Sequence, residues 1–413
     1  MAAVAAVTLT AACGGGDSGF SGATTPSTVG GGAATGVQLS LLFGSSGEAE
    51  TKAVNAAAAA WGKQSGNVVT ATPAKDLSQQ LTQAMAGGSP PDLFYVDASK
   101  FAGLQKSGVL ASYGDQIKNK DDFYPVLRQS FSAGGKLYCA PKDFSTLGLQ
   151  INTDLWTKAG LTAADVPTTW DQLEAVAKKL TSGDVTGLVF NDTLDRVDAF
   201  MRQAGGSLQT GDGSAFTANS PENVAGLQYV QKLAKEGVLK FPKQIGVGWG
   251  GEALGKGKAA MAIEGNWFVG GVKDDYPNLR YQVAELPAGP KGKATLSFTN
   301  CWGIAAKSKN QTAALNFVEY LTGAEQQITF AKGFGAMPSV QSAKATFESD
   351  FPAQQAFVKG ADYATGPISL PGFDQVQKDF DAKLLGLSDG STDPKAMLED
   401  LQKNAQAALA AAR

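Results

Sequence analysis

The chain has 413 residues, of which 43% are hydrophobic, and it carries a net charge of −3 with no histidine. This length suffices for two hydrophobic cores, and the slightly acidic balance provides no basic face of the kind that binds nucleic acid. Without an imidazole the chain has no Ser-His-Asp triad and no His-ligated zinc site, and its three cysteines cannot form a four-thiolate cluster. We therefore expect no metal, no other cofactor and no nucleic-acid partner.

The first 36 residues predict export rather than a folded domain. Residues 1–12 are uncharged and largely apolar, as at the end of a signal peptide, and the sequence LTAAC at residues 9–13 resembles the lipobox of bacterial lipoproteins. Thr10 departs from the lipobox pattern, which usually has an apolar residue there. Residues 13–36 are rich in Gly, Ser and Thr, as in a disordered tether. We expect 1–12 to be the remnant of a signal peptide and Cys13 to carry a lipid that anchors an extracytoplasmic protein, in the periplasm or at the cell surface. The alternative is an unmodified cysteine in a disordered tail.

From residue 37 onward, strand and helix patterns alternate. Short apolar runs between turn residues predict strands at 37–43, 92–97, 186–190 and 259–264. A helix after the first strand is predicted by apolar residues at i, i+3, i+4 and i+7, namely Val54, Ala57, Ala58 and Trp61. The alternation predicts an α/β fold with mostly parallel strands, and the length favours two layered units over one large sheet.

Two later helices have recognisable ends in the sequence. Thr169 and Gln172 have the spacing of a capping box, so a helix is expected to begin at Trp170. Ser220 followed by a proline predicts the start of another helix, and Gly237 predicts its end.

Cys139 and Cys301 remain as a pair if Cys13 is used for the anchor. In an oxidising compartment such a pair favours a disulfide. The separation along the chain does not show whether the two Cα atoms come close enough, so two buried free thiols remain the alternative.

Three motifs, in order along the chain, carry a resemblance to a known family. They are LYCAPKDFSTLGLQIN at 137–152, PTTWDQL at 167–173 and GKGKAAMAIEGNW at 255–267. With the lipobox, they resemble the ABC-importer solute-binding lipoproteins that include the maltose-binding proteins. The resemblance implies a periplasmic-binding-protein-like type II fold, in which two α/β lobes are joined by a hinge of several crossings. It implies a monomer that binds a sugar or oligosaccharide between the lobes and delivers it to the transmembrane subunits of an ABC permease.

The lobe boundaries expected from this resemblance divide the chain after residue 36 into four segments. Lobe 1 is expected to comprise 37–141 and 288–338, and lobe 2 to comprise 142–287 and 339–413.

Candidate ligand-binding residues are those that suit a neutral polyol, which needs directional hydrogen bonds and flat aromatic faces. The two motifs at the expected hinge supply Lys142, Asp143, Phe144, Glu264, Asn266 and Trp267. Of these, Trp267 matches the family position that stacks on sugar. Loops near strand ends and the expected later crossings supply Ser46, Glu48, Asp97, Ser99, Asn191, Asp192, Trp249, Asn300, Trp302 and Phe373. The alternatives are a surface ion pair for Lys142 and Asp143, core packing for the aromatic residues, and caps or turns for the polar residues at strand ends.

A second function class stays open from the residues alone. Asp143 and Glu264 are candidates for the paired carboxylates of a secreted glycoside-acting enzyme, which lie about 5–5.5 Å or about 6.5–9.5 Å apart depending on mechanism. Neither residue has sequence neighbours that would raise its pKa, so binding without catalysis is the favoured hypothesis.

Overall fold

The computed structural model describes residues 35–413, so the predicted signal peptide, Cys13 and the tether up to residue 34 lie outside the described residues. The strands are β1 Gln38–Phe43, β2 Val68–Pro73, β3 Leu93–Asp97, β4 Ser132–Ala133, β5 Lys136–Leu137, β6 Ser145–Asn152, β7 Thr186–Val189, β8 Leu239–Lys240, β9 Ala259–Gly265, β10 Tyr281–Ala284, β11 Thr295–Phe298, β12 Asn300–Ile304 and β13 Ala364–Thr365.

The helices surround two sheets. They are α1 Glu48–Ser65, α2 Leu77–Ala86, α3 Phe101–Lys106, α4 Pro125–Ser130, α5 Thr153–Lys158, α6 Trp170–Leu180, α7 Leu194–Gln203, α8 Pro221–Lys235, α9 Gly250–Gly255, α10 Trp267–Asp275, α11 Gln311–Leu321, α12 Ala324–Phe334, α13 Lys344–Asp350, α14 Gln355–Gly360, α15 Phe373–Asp381, α16 Gly386–Asp389 and α17 Pro394–Ala412. Within residues 35–413, none of these helices has the length and apolar character needed to cross a bilayer.

Lobe 1 is built on a four-stranded sheet in the order β12-β3-β1-β2. Its core includes the face of α1 that the apolar spacing predicts, because Val54, Ala57, Ala58 and Trp61 are all buried. The ring of Trp61 lies 4.9 Å from that of Phe317 on α11, which joins the first helix of the lobe to a late one.

Lobe 2 is built on a seven-stranded sheet, in which β13-β11-β6-β9-β7-β8 are consecutive and β10 also pairs with β6. The prediction of mostly parallel strands is wrong, because β6 is antiparallel to β9, β10 and β11, and β12 is antiparallel to β3. The reason is topological: β6 and β12 each begin where the chain enters a lobe at the hinge. They run away from the hinge, whereas their neighbours run towards it.

The helix ends follow local hydrogen bonding. Thr169 caps α6, and its hydroxyl accepts a hydrogen bond from the Gln172 amide at 3.4 Å. The predicted capping box is shifted by one residue, because the Gln172 carboxamide accepts from the backbone of Thr168 at 2.8 Å. Ser220 caps α8, and Gly237 follows the end of that helix with φ of 73°.

Two chain crossings lie side by side at the hinge. The backbone amide of Lys142 donates to the carbonyl of Asn300 at 2.7 Å, so the segment before β6 runs next to the start of β12. A disulfide joins Cys139 to Cys301 with their Cα atoms 5.7 Å apart, and both residues are fully buried. This bond lies on the lobe 1 side of the crossings.

The lobe boundaries differ from those expected. Strand β11 pairs with β6 and therefore belongs to lobe 2, so the return crossing lies at Thr299 and not at residue 288. Val340 and Ala343 pack into the core of lobe 1, so the chain leaves this lobe after residue 343 and not at residue 338. Both differences arise because the strand ladder and the apolar contacts, not motif positions, decide which lobe a segment joins.

Candidate functional site

A cleft between the two lobes contains a cavity of about 380 Å³. Its volume falls within the range of about 300–1,000 Å³ that is usual for small-molecule sites. Lobe 1 contributes Asp97, Ala98, Ser99 and Lys100, the hinge contributes Phe298 and Thr299, and lobe 2 contributes Asp195, Pro367, Asp374, Gln377, Lys378 and Asp381. Because both lobes form its walls, a solute held there would bridge them.

The lobe 1 wall is formed where β3 ends. The first four residues of β3 are buried, and Asp97 at its end is exposed to the cavity. One carboxylate oxygen of Asp97 accepts from the backbone and the hydroxyl of Ser99 at 2.8 and 2.5 Å, which fixes the turn into α3. The structure thus places these two sequence-predicted residues on the cavity wall.

The lobe 2 wall is acidic. Asp381, at the end of α15, accepts a hydrogen bond from the backbone amide of Leu194 at 2.6 Å and so caps α7. Gln377 donates to Asp195 at 3.1 Å. In the chain from residue 35 to residue 413, neither Asp195 nor Asp381 has a cationic side chain within ion-pair distance, so both carboxyl groups reach the cleft without a salt bridge.

Two carboxyl groups of this wall, those of Asp195 and Asp381, hold their protons unusually strongly, whereas the ion pair with Lys100 lowers the pKa of Asp374. Burial raises the pKa of Asp381 to about 7, and the nearby charges of Asp195 and Asp192 add to this effect. Burial also raises the pKa of Asp195; Arg196 opposes the rise, whereas Asp97 on the opposite lobe increases it. The two lobes therefore bring like charges towards each other across the cleft.

The lobes touch at one edge of the cleft. Lys100 of lobe 1 forms an ion pair with Asp374 of lobe 2 at 3.1 Å. The backbone amide of Ala102 donates to the hydroxyl of Ser369 at 3.0 Å. These contacts close that edge of the cavity.

Two further cavities adjoin the interlobe region. One, of about 770 Å³, shares Pro367 with the first and is lined by amides and hydroxyls from both lobes, including Gln105, Gln129, Ser130, Ser132, Ser207, Gln209 and Thr210. The other, of about 320 Å³, lies between the start of α1 and α10, and the sequence-predicted residues Ser46 and Glu48 line this cavity and not the first.

Trp267 begins α10 and lies next to the first cavity. Its ring centre is 5.2 Å from that of Phe298, which lines the cavity, and the two rings meet edge to face. The indole is half-buried, and its N–H donates to Glu264 at 3.1 Å. Glu264 is only 1% exposed and also pairs with Arg196 at 2.9 Å. The prediction that it faces the cleft is therefore wrong. Glu264 lies one residue before the end of β9, a fully buried strand, and its side chain is enclosed within lobe 2.

Lys142 is also buried and not open to a ligand. It is 3% exposed, forms an ion pair with Glu50 at 2.8 Å and contacts the carboxylate of Asp143. The hydroxyl of Tyr95 donates to the same Glu50 oxygen at 3.0 Å. Burial lowers the pKa of Lys142, but the two carboxylates more than offset this, and the net shift is upward. Burial raises the pKa of Asp143, whose side chain keeps 21% of its surface exposed.

Three predicted aromatic contacts are wrong, because these rings lie in the cores. Phe144 is 1% exposed and packs with Met337 and Phe357 beside the hinge. Trp302 is fully buried and meets Tyr95 edge to face at 5.0 Å. Phe373 is 4% exposed and stacks on Phe216 at 5.6 Å.

The other predicted residues have local structural partners. Asn266 is buried and donates its amide to the carbonyls of Phe144 and Gly335 at 3.3 and 3.2 Å, which ties two crossings together and contradicts its prediction as a ligand contact. Asn300 pairs with Asp97 in the strand register. Asn191, Asp192 and Trp249 are half-buried and do not line the 380 Å³ cavity; Asp192 pairs with Lys243 at 3.1 Å.

Several cavity residues were missed at the sequence level. The signal for those on α15 is its amphipathic pattern, because Phe373, Val376 and Phe380 are buried and the opposite face carries Asp374, Gln377, Lys378 and Asp381. Asp195 lies in the first turn of α7, just beyond the strand end at which Asn191 and Asp192 were predicted.

The model of the bacterial extracellular solute-binding protein family matches residues 44–328 of this chain. The chain belongs to that family. Among its relatives, the diacetylchitobiose binding protein DasA of Streptomyces coelicolor is 24% identical over 321 residues, which are 73% of each chain. A maltooligosaccharide ABC transporter solute-binding lipoprotein of Streptococcus pneumoniae is 27% identical over 291 residues, 65% of each chain.

The fold of this solute-binding protein is shared with solved structures. An ABC substrate-binding protein of Listeria monocytogenes, solved in complex with cycloalternan, superposes with a TM-score of 0.79 at 23% identity and covers 89% of this chain and 98% of its own. The two-lobed fold expected from the sequence motifs is thereby confirmed.

Proposed function

We propose that this solute-binding protein is the extracytoplasmic receptor of an ABC importer and that it binds a sugar or oligosaccharide between its lobes. The observation that carries the proposal is the 380 Å³ cavity, whose polar walls come from both lobes. A solute that contacts both walls binds the closed form more tightly than the open one, so it shifts the population towards closure. The closed receptor then delivers the solute to the transmembrane subunits of the permease.

The cavity has the groups that a polyol needs. Asp97 and Asp195 provide charged acceptors for hydroxyl groups, the carboxyl group of Asp381 can donate a hydrogen bond when it holds its proton, and Gln377 provides an amide donor and acceptor. Phe298 lines the cavity, and we assign the half-buried ring of Trp267, which contacts Phe298, to the C–H face of a sugar ring. These side chains form the binding site that we propose.

Relatives support this class of solute. DasA is named for diacetylchitobiose, the pneumococcal lipoprotein is named for maltooligosaccharides, and the Listeria protein was solved with cycloalternan. Diacetylchitobiose, maltooligosaccharides and cycloalternan are all saccharides. In our proposal a lipid on Cys13 anchors a monomeric receptor beside its permease, which raises the local concentration of loaded receptor.

The enzyme alternative has little support in the geometry. Asp143 is paired with Lys142, and Glu264 is paired with Arg196 and is only 1% exposed. A glycosidase needs two carboxyl groups that face one glycosidic bond. We therefore propose a receptor without catalytic activity.

The test is a thermal-shift screen with diacetylchitobiose, maltotriose and cycloalternan, followed by titration of tryptophan fluorescence and chromatography for products. We expect at least one saccharide to raise the melting temperature without being cleaved. Asp195→Asn should then weaken binding of that saccharide by about tenfold, because a charged acceptor is lost. Asp379→Asn on the exposed face of α15 is the control and should leave affinity unchanged. Binding of no saccharide, or release of a cleaved product, would overturn the proposal.

A further inference from the structure

The indole of Trp267 is held by contacts from three separate segments. Its N–H donates to Glu264 at 3.1 Å, and the guanidinium of Arg196 lies over the ring, 5.3 Å from its centre. Phe298 meets it edge to face at 5.2 Å. Gly265 leaves room for it, because a side chain at this position would come within 2.1 Å of the ring.

Glu264 is itself fixed from both sides. One carboxylate oxygen accepts from Arg196 at 2.9 Å and from the indole, and the other accepts from the backbone of Gly250 at 3.1 Å. Its backbone amide and carbonyl both bond to the side chain of Gln150 on β6, at 2.8 and 3.0 Å. A carboxylate with 1% exposure needs this degree of pairing, because an uncompensated buried charge is costly.

Arg196 connects this cluster to the cavity wall. It is 7% exposed and follows Asp195, which lines the cavity, in the first turn of α7. Its guanidinium also lies 5.5 Å from the ring centre of Phe298, so the same group contacts both rings beside the cavity. The cluster therefore joins the end of β9, the start of α7 and the end of β11.

From these contacts we infer that Arg196 and Glu264 are positioning residues that hold the indole of Trp267 in one orientation for stacking on the saccharide, without touching the saccharide themselves. This inference rests on the proposed function, because it assigns the ring a stacking role. Its physical basis is preorganisation: a ring that is already ordered loses less conformational freedom when the ligand binds. Without the two residues, the ring would gain rotamers that binding must remove.

The first experiment needs no ligand. The full chain is labelled with 5-fluorotryptophan, and the ¹⁹F resonance of Trp267 is assigned from Trp267→Phe. We expect one sharp resonance in the wild type and a broadened or doubled one in Arg196→Met. Glu264→Gln keeps an acceptor for the indole N–H and should retain a single resonance. Arg280→Met, which removes an exposed pair with Asp154, should leave the resonance unchanged.

The second experiment is a double-mutant cycle with maltotriose, diacetylchitobiose and cycloalternan as probes. Arg196→Met should weaken binding by about three- to tenfold, the range expected for one newly mobile side chain. It should have no further effect in a Trp267→Leu background, because the arginine acts through the ring. If Arg196→Met does not fold, Arg196→Lys replaces it in both experiments.

The outcomes separate the two proposals. A Trp267 resonance that stays sharp and unshifted in the Arg196 variants overturns the positioning role, as does an equal loss of affinity in both backgrounds. If none of the three saccharides binds the wild type, the proposed function fails, while the ¹⁹F comparison still decides whether Arg196 orders the ring.

Discussion

Asp381 provides a prediction about pH because its carboxyl group keeps its proton far above the usual range. The chain has no histidine, so no side chain of ordinary pKa titrates between about pH 6 and 8. Burial raises the pKa of Asp381 to about 7 in the folded protein, against 3.8 for the free side chain. Between these two values the folded state holds a proton that the unfolded state has released.

The magnitude follows from linkage. The contribution of Asp381 to the free energy of unfolding is fully present below its pKa in the unfolded state, and it is lost as the pH rises through its pKa in the folded state. The reason is that the cleft disfavours the charged carboxylate. At about 1.4 kcal/mol per pKa unit, the loss is at most about 4 kcal/mol. Since the side chain is only half-buried and solvent screens its neighbours, we expect about 2 kcal/mol.

The perturbation is Asp381→Asn, whose amide oxygen still accepts from the Leu194 backbone. Urea unfolding, followed by tryptophan fluorescence from pH 4.5 to 8, should show the wild type losing stability as pH rises. Over this pH range, the free energy of unfolding of the variant should fall by about 2 kcal/mol less than that of the wild type. Asp379→Asn, two residues earlier on the exposed face of α15, is the matched control and should follow the wild type. If Asp381→Asn also follows the wild type, the carboxyl is not protonated at neutral pH and the reasoning fails.

Three other variants test the packing around the hinge and site. Cys139→Ser with Cys301→Ser should lower the free energy of unfolding by about 2–5 kcal/mol in urea melts, and dithiothreitol should have no further effect on this variant. Gly265→Ala should lower the melting temperature and shift tryptophan emission, because its methyl group enters the space of the indole; unchanged emission would contradict this contact. Lys142→Met should destabilise by about 3–5 kcal/mol in calorimetry by leaving Glu50 unpaired, and adding Glu50→Gln should recover part of the loss.

Much of the fold could be predicted from local patterns. The strand at 38–43, the buried face of α1 and the caps of α6 and α8 all follow from periodicity and turn chemistry, which depend on neighbouring residues. Strand direction was not predictable in this way. Whether β6 runs with or against β9 depends on where the chain crosses between lobes, and no local pattern encodes that crossing.

The candidate site was predicted less completely for the same reason. Asp97 and Ser99 were found because polar residues that end a buried strand lie at a sheet edge. Asp195 and Asp381 come from helices that reach the cavity only after the second lobe has folded. Glu264 and Trp302 have the right chemistry for ligand binding, but the side of the strand on which each lies directs it into a core.

The Cys139–Cys301 bond spans 162 residues of sequence, and most of that interval forms lobe 2. A polypeptide that emerges from its N-terminus cannot make this bond until residue 301 has appeared, by which time nearly all of the second sheet has already emerged. Strand β12, which completes the sheet of the first lobe, arrives at the same late moment. The sheet of the lobe that is synthesised first is thus completed only after nearly all strands of the other sheet have emerged, and an oxidant that acts early finds Cys139 without its partner.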